Sequence, residues 1–219
     1  MPDLVQLAIN QGVPQQTIIY ILMYPVILTV IAAARQVIGI KAFGIYTPSI
    51  IAVALLATTL KYGLAIFIVI LAVALAMRFV LKGFQLLYMS RTAIMLSVVA
   101  ISVLAFLAVG GSFQRTGLAS VSIFPLLIMI TIVEKFVIVQ TEKGFRTAFV
   151  LALETMFLAA ACYFLVKWEA FQTLVLNYPG IVVLIVVMNI ALGKWTGLRF
   201  SEYYRFRDVI ENVELPRKK

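Results

Sequence analysis

The sequence predicts an all-α integral membrane protein, a bundle of seven transmembrane helices, on three observations. Of its 219 residues 63% are hydrophobic and 12% charged, with a mean hydropathy of +1.08; so little polar surface cannot cover a water-soluble globule. The apolar residues gather into seven runs of roughly the 20 residues that one bilayer crossing needs. The basic residues behind the formal charge of +9 stand at the ends of those runs. That is the placement that orients membrane proteins, and it argues against nucleic acid as a partner, which would need one basic face.

The runs fall at 17–35, 43–60, 62–82, 92–110, 118–138, 147–167 and 174–193. The first follows MPDLVQLAINQGVPQQ, which lacks the basic flank and small-residue cleavage site of a signal peptide, so this helix is expected to stay. Lys61 alone separates the second run from the third, with Gly63 just beyond, and predicts a tight helical hairpin. Glycines mark other breaks: Gly39 and Gly44, Gly83 after Lys82, the pair Gly110-Gly111, and Gly144. The last break spans Trp168 to Thr173. No connection is long enough for a soluble domain, which leaves a short N-terminus (1–16), a transmembrane domain (17–193) and a basic tail (194–219).

The second and fifth runs open alike, Phe43-Gly44-Ile45-Tyr46-Thr47-Pro48 and Ser122-Ile123-Phe124-Pro125. Two readings stay open: a 3+3 inverted repeat plus a seventh helix, or proline merely tolerated where its missing N–H costs little. Orientation follows from Lys and Arg, which are retained on the cytoplasmic side. With the N-terminus outside, Arg35, Lys41, Arg78, Lys82, Arg91, Lys135, Lys143, Arg146 and the basic residues from Lys194 onward lie inside. Lys61, Arg115 and Lys167 lie outside, a split of fifteen against three. Trp168 and Trp195 then stand at opposite interfaces.

The catalytic inventory is thin. There is no histidine, the single cysteine Cys162 sits in an apolar run, and the two aspartates, Asp3 and Asp208, lie outside the runs. That excludes a paired-aspartate membrane protease, an HExxH metal site and a disulfide framework, and implies no cofactor. The polar candidates are few. Glu154 lies eight residues past Arg146, about 12 Å into the sixth helix. Ionised and facing lipid it would cost several kcal/mol, so it is expected to face the interior, with Thr131, Lys135 or Asn189 as partner. Thr131, Glu134 and Lys135 share one helix face near the expected cytoplasmic boundary, either as a snorkelling pair or as part of a polar site. Asn189 suits an interhelical hydrogen bond. Thr147, Glu154 and Ala161, spaced by seven, and Ala72 with Ala76 are candidate packing stripes. The charged and aromatic segment Ser201–Asp208 suits an anionic lipid surface or a ligase dock.

The run Arg35-Gln36-Val37-Ile38-Gly39-Ile40-Lys41-Ala42-Phe43-Gly44-Ile45-Tyr46-Thr47-Pro48, the Phe124-Pro125 helix with Thr131 and Glu134, and Lys194-Trp195-Thr196-Gly197-Leu198-Arg199 followed by Tyr203 and Arg207 resemble one bacterial family. It is the seven-transmembrane domain usually fused to an inactive transglutaminase-like domain. The resemblance runs from about Arg35 to Asp208, and its motif positions here are Arg35, Gly39, Lys41, Gly44, Pro48, Pro125, Gly197 and Arg199. Members tend to be encoded beside ATP-grasp ligases that join amino acids such as glutamate. The layout is also similar, more distantly, to the small membrane subunit of poly-gamma-glutamate synthesis. The resemblance implies a non-enzymatic subunit of the bacterial inner membrane that anchors a cytoplasmic ATP-grasp ligase or helps move its peptide-like product. It also implies a transglutaminase-like partner outside, since that domain would precede the first helix and is absent here. A secondary transporter using Glu154 is the alternative, and a membrane-embedded transferase with Glu134 or Glu154 as base a third.

Overall fold

Lipid offers no hydrogen bonds, so a backbone that crosses it must satisfy its own N–H and C=O groups, and helix does so within one segment. The structure, a computed structural model, describes residues 6–194 apart from 8, 82, 85–86, 113–122 and 179. Lys82, Arg115, Trp195, Gly197, Arg199 and the Ser201–Asp208 segment lie outside the described residues. Among those described, every regular element is helical: α1 (Gln15–Ala33), running into a π-helical turn (Ala34–Ile38), α2 (Tyr46–Thr58), α3 (Leu60–Leu81), α4 (Tyr88–Ser112), α5 (Ile123–Lys143), α6 (Phe145–Lys167), α7 (Glu169–Asn177) and α8 (Ile181–Gly193). Five stretches are long and apolar enough to cross a membrane: Gln15–Ile38, Leu60–Leu81, Tyr88–Gly110, Ile123–Lys143 and Phe145–Lys167. A sixth arises if α7 and α8 are taken together.

Three runs differ from expectation, each for a backbone reason. The second yields only the 13-residue α2, about 20 Å long. Gly39, Ala42 and Gly44 ahead of it all have positive φ (93°, 42° and 87°), which no α-helix contains, and Thr59 (φ 67°) stops it. The fifth helix runs 123–143 rather than 118–138, because the first residue to leave helical geometry is Gly144 (φ 83°). Glu134 and Lys135 therefore stand in mid-helix, not near its end. The seventh run is two helices, α7 starting earlier at Glu169 and α8 starting only at Ile181.

The chain divides into two compact parts, Ala42–Leu174, and Met1–Lys41 together with Val175–Lys219. In the first, α2 lies against α5 and α6, and α3 against α4. Its core is built from Ile51 and Leu55 of α2, Phe67, Ile70 and Ala74 of α3, Met95 and Val99 of α4, Met129 and Phe136 of α5, and Ala148, Ala152, Thr155, Ala159 and Cys162 of α6. Ile68, Phe79, Leu104 and Phe157 point outward, as lipid-facing residues should. In the second part α1 packs on α8. There Asn189 Nδ2 donates to Thr29 Oγ1 at 2.7 Å, and the Gln36 amide donates to the Leu192 carbonyl.

The expected packing stripes are displaced. Ala72 and Ala76 are exposed, as are Thr147 and Ala161, and the buried small residues of α6 are Ala148, Ala152 and Ala159. Alanine is at home against lipid as well as against helix, so spacing alone did not choose the face. Pro48 and Pro125 are each the third residue of their helix and both are buried, on helices of 13 and 21 residues.

The hairpin break is at Thr59 rather than Lys61, and Gly63 falls in the first turn of α3. A Cβ on Gly63 would run into the Leu55 side chain, lie 2.7 Å from Thr58 Oγ1 and 3.4 Å from Met129 Cε. Hydrogen at this position is what lets α3 cross the end of α2. Gly63→Ala is expected to cost about 1–3 kcal/mol by overpacking and to lower the thermal unfolding midpoint in detergent. Gly83→Ala, where a Cβ meets nothing within 4 Å, is the matched control and should change it little.

Candidate functional site

The left-handed residues that shorten α2 also take the N–H groups of Ala42 and Phe43 out of any helical ladder. An unmatched donor in an apolar surrounding costs several kcal/mol, and α6 supplies both acceptors. Ala42 N–H donates to Glu154 Oε2 at 2.9 Å, and Phe43 N–H donates to Thr155 Oγ1 at 2.9 Å. The Thr155 hydroxyl then donates to the Leu151 carbonyl within its own helix at 2.6 Å. Two consecutive amides thus meet two consecutive side chains. Ala42 and Thr155 are buried and Glu154 half-buried. Ala42 is a non-glycine held in the left-handed region, a conformation that costs on the order of 1 kcal/mol and persists only where its surroundings impose it.

The arrangement is an anchor. A carboxylate accepting from a backbone amide makes a charge-assisted bond, stronger than a neutral one when ionised. The donor lies on the stretch that leads into a short helix, so the same bond sets where α2 begins. Nearby hydroxyls on α2 are used locally: Ser49 donates to the Tyr46 carbonyl (2.8 Å) and Thr58 to the Ala54 carbonyl (2.9 Å). Among the described residues no three His, Cys, Asp or Glu side chains come together to hold a metal.

The sequence-derived site residues are dispersed. Thr131, Glu134 and Lys135 do share a face of α5, but it is an exposed one, and the Thr131 hydroxyl donates to the Ile128 carbonyl at 2.7 Å. Asn189 is engaged on α8 with Thr29 and with the Ile185 carbonyl at 3.1 Å. The three side chains expected as partners of Glu154 thus have other surroundings, and a main-chain group takes the bond instead. Of the motif residues, Arg35 lies in the π-helical turn, which Gly39 ends by donating to the Ala34 carbonyl at 3.0 Å. Lys41 is exposed, and Gly44 supplies the last left-handed step before α2.

Sequence reasoning missed Thr155 and the amides of Ala42 and Phe43. The signal for Thr155 was its place beside Glu154, one step round an otherwise apolar helix. A main-chain donor leaves no side-chain signal, although Gly39 and Gly44 bracket the stretch that carries it. At one end of this part, the Arg78 guanidinium lies 5.4 Å from the Phe145 ring centroid, which puts the end of α3 beside the start of α6.

A family model described as seven transmembrane helices usually fused to an inactive transglutaminase matches residues 2–210. Comparison with curated proteins and with solved structures gave no match.

Glu154→Gln keeps an acceptor for the Ala42 amide and is expected to fold with near-normal stability, whereas Glu154→Leu strands that amide at a cost of about 1–3 kcal/mol. Thr155→Val removes the acceptor for Phe43 at similar volume and should fall in the same range. Unfolding midpoints in detergent check the order, with Gln closest to the parent protein.

Proposed function

Because the chain belongs to the family of seven transmembrane helices usually fused to an inactive transglutaminase, we propose that it is a non-enzymatic, multi-pass membrane subunit of an ATP-grasp peptide-ligase system that helps move the peptide-like product across the bilayer. The observation that carries movement, beyond anchoring, is the bond from Ala42 N–H to Glu154. Membrane proteins keep non-helical backbone only where it is enclosed by protein or lines a path, and transporters build substrate sites at such interruptions. The carboxylate and the neighbouring Thr155 hold such an interruption at the start of the short α2. The paired placement of Pro48 and Pro125 supports the inverted-repeat form of this reading.

The membrane is the bacterial inner membrane, with the N-terminus outside and the C-terminus in the cytoplasm. With α2 counted as a crossing and Lys135 taken out as a mid-helix residue, the basic residues divide fourteen against three, a strong bias. The contact of Arg78 with Phe145 supports it by bringing together two helix ends that the count assigns to the same side. That side faces the cytoplasmic ligase, and a transglutaminase-like partner belongs on the other.

Two measurements test the reading. A cytoplasmic reporter fused at the C-terminus should be active, and activity only of a periplasmic reporter there overturns the orientation. In cells carrying the ligase, Glu154→Gln at parental membrane levels should shift the peptide-like product from outside to inside. An unchanged distribution, with the ligase still recovered in pull-down, leaves an anchor and removes transport.

A further inference from the structure

Glu134 is eleven residues from the start of α5 and nine from its end, about 17 and 14 Å along the axis. Both it and Lys135 are exposed there, inside a stretch that is otherwise apolar from Phe124 to Val139 apart from Thr131. Charged groups at this depth in other membrane proteins face protein and meet a counter-charge, and among the described residues neither has an ion-pair partner. A counter-charge from a second copy of the chain would satisfy both.

The rest of the face says what. Phe124, Leu127, Thr131, Glu134 and Lys135 are exposed and Ile138 is half-buried. At about 100° per residue all six fall within roughly 60° of Thr131. Five of them, all but Lys135, follow the alternating three- and four-residue spacing of a seam between parallel helices. Glu134 lies on one flank of the Thr131 line and Lys135 on the other. Copies inserted in one orientation are related by an axis along the membrane normal, so their α5 helices run parallel. A two-fold axis beside Thr131 then sets Glu134 of each copy opposite Lys135 of the other, level to about 1.5 Å. The face is complementary in charge to itself.

We propose that this face of α5 is the interface of a homodimer, closed by two symmetric Glu134–Lys135 ion pairs inside the bilayer. The inference is independent of the transport reading.

Cysteine cross-linking of the full chain in native membranes tests it. Native Cys162 is fully buried and serves as a silent background. Thr131→Cys should give, on oxidation, a band at twice 24.3 kDa, whereas Phe157→Cys, on an exposed position of α6, should not. Adding Glu134→Lys or Lys135→Glu to Thr131→Cys places like charges face to face and should cut the cross-link about tenfold. The exchange Glu134→Lys with Lys135→Glu should restore it. If the single charge variants do not reach the membrane, the exchanged pair decides: a dimer band supports the interface and its absence overturns it. The interface is also overturned if Thr131→Cys links no better than Phe157→Cys, or if its product has the mass of a different protein, which would make α5 a docking face for another chain.

Discussion

The constraint on which the rest of this structure depends is that lipid satisfies no backbone hydrogen bond. It makes every regular element described a helix, and it turns a departure among the described residues, between Gly39 and Ile45, into a place where side chains act as backbone partners. Glu154 and Thr155 meet that demand from a neighbouring helix. Most polar side chains elsewhere close bonds within their own helix, as Ser97, Ser102 and Thr141 do on carbonyls four residues back. The bonds of Glu154, Thr155 and Asn189 are different in kind, because each reaches backbone or side chain far away in sequence.

Packing follows from the same solvent. Since lipid is as apolar as leucine, burying leucine between helices gains little there, and close approach through small residues gains more. Gly63 against Leu55 and Thr58, and the buried Ala148, Ala152 and Ala159 of α6, are the places where helices come near. Large residues such as Phe157 and Phe164 are left on the outside, the reverse of a water-soluble core.

Helix content and most of the span positions were legible in the sequence because length and apolarity report directly on what the bilayer requires. The second run was misjudged because composition does not register conformation: Ala42 and Thr59 are ordinary helix residues by type, and only tertiary contacts hold them at positive φ. The fifth was placed at 118–138 because its apolar character fades after Val139 into Gln140, Thr141, Glu142 and Lys143, when the helix continues through these as far as Gly144. Glu154 stood out as an isolated carboxylate. Its bond with Ala42 did not, because a main-chain donor can come from any residue that leaves a helix.

Residue 154 is an acid, whereas its neighbour with the equivalent task is not. A glutamine carbonyl could accept the Ala42 N–H, but an ionised carboxylate makes the stronger bond and has two oxygens with which to accept further donors. A threonine performs the equivalent task for Phe43 one residue on. Acids within membrane-spanning helices as a rule face protein or a water-filled cavity, and Glu154 is half-buried against the turn at Ala42. The bonds of Glu154 and Thr155 together fix where α2 starts. Of the acids in this part of the chain, Glu154 is the one joined to an interruption of the backbone, and the transport proposal centres on it rather than on Glu134 for that reason.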